Sequence, residues 1–150
     1  MTISARKSLI VSFVFIIVSA SMGFAGDTLR EVVEKFCQLD YNGDRMISST
    51  YNSIEPLISY PAEPGWDIVI GIIGYKIIDE KITDNSATIQ VQYDIDRSWP
   101  VRIKDINKYS IVTFSLEMKE CKWKISKYIL YPRVSSKLLC EDYGYCDSGS

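Results

Sequence analysis

The sequence predicts an α+β domain, with N-terminal helices packed on a curved antiparallel β-sheet meander shaped like a cone. Two observations carry this expectation. Apolar residues recur at helical spacing before residue 60, and from residue 66 onward they alternate with a period of two. Helices followed by a run of strands is the α+β order. A third observation supplies the curve: Gly71 and Gly74 interrupt an isoleucine-rich strand, and glycine inside a strand marks a bulge or bend.

The first helix spans about Thr28 to Tyr41. Thr28-x-x-Glu31 is a capping box, in which hydroxyl and carboxylate satisfy free N–H groups at the helix start. Leu29, Val32, Val33, Phe36 and Leu39 then form one apolar face, and Asn42-Gly43 closes the run. A second helical segment, Ile47 to Ser59, is broken at Pro56, because an interior proline removes a hydrogen bond and clashes with the preceding turn. It reads as a short helix before Pro56 and another turn starting there. Residues 60–65 form a loop.

The first strand is expected over Ile68–Ile82. After a turn at Asp84-Asn85-Ser86, Ala87, Ile89, Val91, Tyr93 and Ile95 alternate with polar residues, giving a half-buried second strand. Val112, Phe114, Leu116 and Met118 mark a third. A turn at Glu120-Cys121 leads into a fourth, carrying Trp123, Ile125, Ile129 and Tyr131. The segment 135–150 is polar apart from Leu138 and Leu139 and reads as a cysteine-containing tail.

The order of elements resembles the nuclear transport factor 2-like (NTF2-like, cystatin-like α+β cone) superfamily. The residues that carry the likeness are Gly43-Asp44-Arg45-Met46-Ile47-Ser48-Ser49, Glu63-Pro64-Gly65-Trp66-Asp67 and Trp123-Lys124-Ile125. They resemble small secreted bacterial members without an assigned activity, over roughly residues 28–134. The resemblance implies a cone and leaves function open, since this fold hosts isomerases, dehydratases, adaptors and non-catalytic domains.

Compartment is read from the first 25 residues. Arg6 and Lys7 precede an apolar core and the small-residue ending Gly23-Phe24-Ala25, the layout of a secretory signal peptide. The strongly apolar run Leu9–Val18 is about half the roughly 20 residues a membrane span needs. Cleavage is expected near Ala25, with Val18-Ser19-Ala20 as the alternative cut. The product is periplasmic or secreted, with no stable membrane insertion after cleavage. The expected divisions are a signal peptide at 1–25, a single domain at 26–134 and the tail at 135–150. Loss of Arg6 and Lys7 takes the 17 basic residues to 15, against 19 acidic. This mild negative balance argues against a nucleic-acid partner.

The chain has no histidine. The usual base for a serine or cysteine nucleophile and the commonest neutral metal ligand are therefore missing. The four cysteines lack the paired spacing of a zinc site, so no metal and no cofactor is expected, and Cys37, Cys121, Cys140 and Cys146 read as two disulfides. Three connectivities are open; Cys140–Cys146 and Cys37–Cys121 are favoured. Asp40-Tyr41-Asn42-Gly43-Asp44 fails as a calcium loop, because its glycine is not sixth and position twelve is Tyr51.

No catalytic residue can be assigned. The favoured function is non-catalytic: binding of a small apolar ligand in the cone, lined by Tyr51, Trp66, Tyr75 and Tyr93, or of a protein partner on the sheet. A homodimer through the sheet stays open. The alternative is a cofactor-free isomerase or lyase that pairs an aspartate with a tyrosine, drawn from Asp40, Tyr41, Tyr51, Asp67, Tyr75, Tyr93 and Asp94.

Overall fold

The computed structural model describes residues 27–100 and 108–146. The expected signal peptide lies outside the described residues. Helix α1 spans Leu29–Tyr41 and opens on the capping box: the Thr28 hydroxyl accepts from the Glu31 amide, and the Glu31 carboxylate accepts from the Thr28 amide. The expected helix around Pro56 is replaced by two single 3-10 turns, Tyr51–Ser53 and Glu55–Leu57. Pro56 stands within the first two positions of the second turn, where a missing N–H costs least.

Strands β1 (Val69–Thr83), β2 (Ser86–Trp99), β3 (Tyr109–Lys119) and β4 (Lys122–Ile125) form the expected antiparallel meander. Register shifts between Gly71 and Ile72, Ile72 and Gly74, and Ile77 and Asp79 bend β1. The β3–β4 turn places both Glu120 and Cys121 at positive φ, the backbone that two-residue hairpins require.

Beyond Ile125 the expectation fails. The fourth strand ends there instead of running to Tyr131, which itself sits at φ 59°. The chain crosses over and adds a fifth strand, β5 (Arg133–Ser135), parallel to β1 through Ile70, Gly71 and Ile72. The sheet is therefore mixed, in the order β4-β3-β2-β1-β5. The supposed polar tail continues as helix α2 (Ser136–Tyr143), capped by Gly144 at φ 71°.

One core fills the concave face of the sheet. Val33, Phe36 and Cys37 of α1 meet Ile72, Ile89, Val91, Tyr93, Phe114, Leu116 and Ile125, all nearly or wholly buried. Phe36 and Phe114 pack edge to face with centroids 5.6 Å apart. A second, smaller cluster joins Val69, Val134 and Leu139, with Met46, Leu138, Tyr143 and Tyr145 against it. No helix among the described residues is long and apolar enough to cross a membrane.

Candidate functional site

Two of the motifs that carried the sequence resemblance meet in space. Gly43 leaves α1 at φ 84°, a backbone that favours glycine, and a side chain there would also press on Leu138 at 3.2 Å. The turn brings Arg45 back under the end of α1. The Arg45 Nη1 donates to Asp40 Oδ2 at 3.0 Å, and Nε donates to Glu63 Oε2 at 2.9 Å. The three side chains are 0, 1 and 4 % exposed. The same guanidinium donates from Nη2 to the Ile129 carbonyl at 2.6 Å and from Nη1 to that of Tyr131 at 3.4 Å. One fork thus ties α1, the 60–66 loop and the 126–132 crossover together.

Glu63 is saturated. Its Oε1 accepts from the Tyr60 hydroxyl at 2.6 Å, and Oε2 also accepts from the indole Nε1 of Trp66 at 3.3 Å. Burial, then the Glu63 contact, raises the Tyr60 phenol. Burial alone would lower the Arg45 guanidinium, but Asp40 and Glu63 raise it on balance. At Asp40 burial wins, and the carboxyl lies above its ordinary value despite Arg45. Its Oδ1 is buried with no hydrogen-bond partner among the described residues.

On this charged floor stands a cavity of about 370 Å³. Met46, Ile47, Tyr51, Pro64, Trp66 and Val69 form its walls. Trp66 is held by its bond to Glu63, by the rings of Tyr128 and Tyr131 at 6.5 and 6.3 Å, and by the Arg45 guanidinium 5.1 Å from its ring centre. Tyr51, in the first 3-10 turn, lines the same cavity. The Tyr51 hydroxyl is buried without a partner among the described residues, and burial raises it.

Of the four aromatic residues expected to share a site, the structure brings Tyr51 and Trp66 together and sends the other two elsewhere. Tyr75 lines a separate groove between α1 and β1, where its hydroxyl donates to Gln38 Oε1 at 3.3 Å. Tyr93 is 1 % exposed and belongs to the core. The Arg133 guanidinium lies 4.9 Å from the Tyr93 ring centre, and the Tyr93 hydroxyl meets Cys37 Sγ at 3.1 Å. The side chains of Phe36, Tyr93 and Phe114 are buried together on the concave face, and the residues that line the cavity with Tyr51 and Trp66 are other ones. A larger apolar recess of about 630 Å³ opens at the start of α1, between Leu29, Ile82, Met118 and Trp123, next to Cys121.

Cys140 and Cys146 are bridged, as expected. The expected Cys37–Cys121 bridge is absent, and both thiols are free. Cys37 points into the core toward Tyr93, whereas Cys121 sits exposed at the β3–β4 turn. Asp40 is the buried carboxylate, and its side-chain partner is Arg45, not a phenol. Among the described residues no group of histidine, cysteine, aspartate and glutamate side chains is placed to hold a metal.

No protein-family model and no curated protein matches the chain. Among solved structures, a Campylobacter jejuni protein provisionally described as an NTF2-like transpeptidase aligns with it at 14 % identity. That alignment has a TM-score of 0.36 and covers 67 % of this chain and 100 % of the other. The elements themselves, one helix across the concave face of a curled five-stranded mixed sheet, decide the class. The fold is an α+β half-barrel, and its layout is consistent with an NTF2-like cone. Within this domain, the sequence reading did not single out Arg45 and Glu63 as the residues that build the charged floor of the cavity. The signal was present: both stand in the short motifs quoted for the resemblance.

Proposed function

We propose that this is an exported, non-catalytic binding domain that takes a small, uncharged and largely apolar molecule between Tyr51 and Trp66. The observation that carries the reading is the cavity itself: apolar and aromatic walls over a floor whose charges are already spent on one another. The two charged residues that line the cavity, Arg45 and Glu63, are paired with each other, so the lining offers neither an anion nor a cation an unpaired charge. A volume of about 370 Å³ lies within the range of small-molecule sites. Export is supported by the N-terminal leader, and the Cys140–Cys146 bridge is compatible with an oxidising compartment.

The test is an NMR titration of the isotope-labelled protein with benzyl acetate and with its shape-matched anion, 3-phenylpropionate. Benzyl acetate is expected to shift the amides of Ile47, Tyr51 and Trp66 and to bind more tightly than the anion. Tyr51→Ala should weaken it about tenfold, the value of one aromatic wall of roughly 50 Å². Tighter binding of the carboxylate, or no shifts at these amides up to the solubility limit, defeats the proposal.

A further inference from the structure

The C-terminal segment does more than end the chain. Helix α2 packs so closely on β1 that a side chain at Gly71 would meet Ser136 Oγ at 3.0 Å and Leu139 Cδ1 at 3.2 Å. Past Gly144 the chain turns back, and the Tyr145 ring stacks on Trp99 with centroids 3.7 Å apart at 17°. The Tyr145 carbonyl accepts from Arg97 Nη1 at 3.1 Å, and its amide donates to the Leu139 carbonyl at 3.0 Å. The Cys140–Cys146 bridge closes this turn. Cys146 is exposed, so a small thiol can reach it.

The cluster this segment covers also forms a wall of the cavity. Met46 and Val69 line the cavity, and both pack in the cluster with Val134, Leu138, Leu139, Tyr143 and Tyr145. Leu138 presses on the Gly43 turn that delivers Arg45 and Met46. Two layers of side chains thus connect the bridge to the cavity.

We propose that Cys140–Cys146 is a redox-sensitive latch that sets the firmness of the Met46–Val69 wall. The reductant is a dithiol. Its thiolate attacks one bridge sulfur, the other leaves as a thiolate, and the second thiol resolves the mixed disulfide. Two electrons pass from the dithiol, which ends as a disulfide, to the two cysteines, which end as thiols. Reduction frees Tyr145 from its stack on Trp99 and lets α2 loosen from β1. The latch rests on the cavity only for its biological meaning; its mechanics stand apart from ligand identity.

The experiment is amide hydrogen exchange on the full chain, purified with the bridge intact, before and after dithiothreitol treatment. A Cys140→Ser/Cys146→Ser variant repeats the measurement without reductant. Reduction should speed exchange at Leu139 and Tyr145 by up to about 50-fold, the chain-entropy value for so short a loop. Met46 and Val69 should follow by a smaller factor, while Phe36 and Phe114 keep their rates. Unchanged rates at Met46 and Val69 overturn the latch, as does equal acceleration of the whole core, which makes the bridge a general stabiliser. A loosened wall in a protein that never binds benzyl acetate keeps the latch and discards the ligand reading.

Discussion

Removing the Arg45 guanidinium should cost this domain a large share of its stability, and the cost should shrink in acid. In Arg45→Met, the apolar stem is retained while Asp40 and Glu63 lose their common cation. Both carboxylates are essentially out of water, at 1 and 4 % exposure. Breaking a buried ion pair from one side costs about 3–5 kcal/mol, because the abandoned charge stays buried. The carbonyls of Ile129 and Tyr131 lose their donor as well. Against a typical total of about 5–15 kcal/mol, the variant sits near the edge of folding. Its Tm should fall by about 10–20 °C.

The pH dependence follows from Asp40. Burial holds its folded-state pKa above the unfolded value even with Arg45 present. The native state therefore binds more protons between those two values, and stability falls as pH rises through that window. Arg45 pulls the Asp40 pKa down, so its removal widens the window upward. Urea unfolding followed by tryptophan fluorescence, at neutral pH and again near pH 4.5, should show the deficit of Arg45→Met decreasing in acid. Adding Asp40→Asn and Glu63→Gln should recover part of the loss at neutral pH. A deficit below about 1 kcal/mol that does not change with pH would refute the reasoning, since that is how solvent-screened surface pairs behave.

Two further outcomes are expected. Burial pushes the Cys37 thiol up to about 12, so native protein should take one equivalent of iodoacetamide at pH 8, on Cys121, and a second only after unfolding in urea; mass spectrometry of the peptides checks this. Phe114→Ala empties the partner side of the Phe36 ring contact and should destabilise by about 3–5 kcal/mol with an unchanged denaturant slope.

Elements with a strong local signal were legible in the sequence. The capping box fixed the start of α1 to within a residue, and the alternation through Ala87–Ile95 and Val112–Met118 gave β2 and β3. Elements held by tertiary contact were not. A three-residue strand such as Arg133–Ser135 cannot display a period, and its parallel pairing with Ile70–Ile72 is a long-range event. Helix α2 shows only one fully buried residue, Leu139, so its sequence reads as a polar tail. The same limit governs the site. Trp66 and Tyr51 line one cavity because Arg45 and Glu63 hold two distant loops together, a pairing between residues 18 positions apart. Nothing in the alternation of β2 told a buried structural Tyr93 from a pocket tyrosine. The cysteine count favoured a second bridge, but Cys37 is buried against Tyr93 while Cys121 stands exposed at the hairpin turn.

The added strand β5 also bears on self-association. It covers β1 only at Ile70–Ile72, so among the described residues Gly74–Thr83 runs on as an open strand edge. Open edges recruit other chains, and proteins blunt them with charge and irregular backbone. This edge carries Lys76, Asp79, Glu80 and Lys81 and a register break between Ile77 and Asp79. On the opposite side β4 is four residues long and is followed directly by the crossover loop. These charges and the register break stand beside the exposed Ile73, Ile78 and Ile82, where they disfavour pairing of the longest strand with another chain.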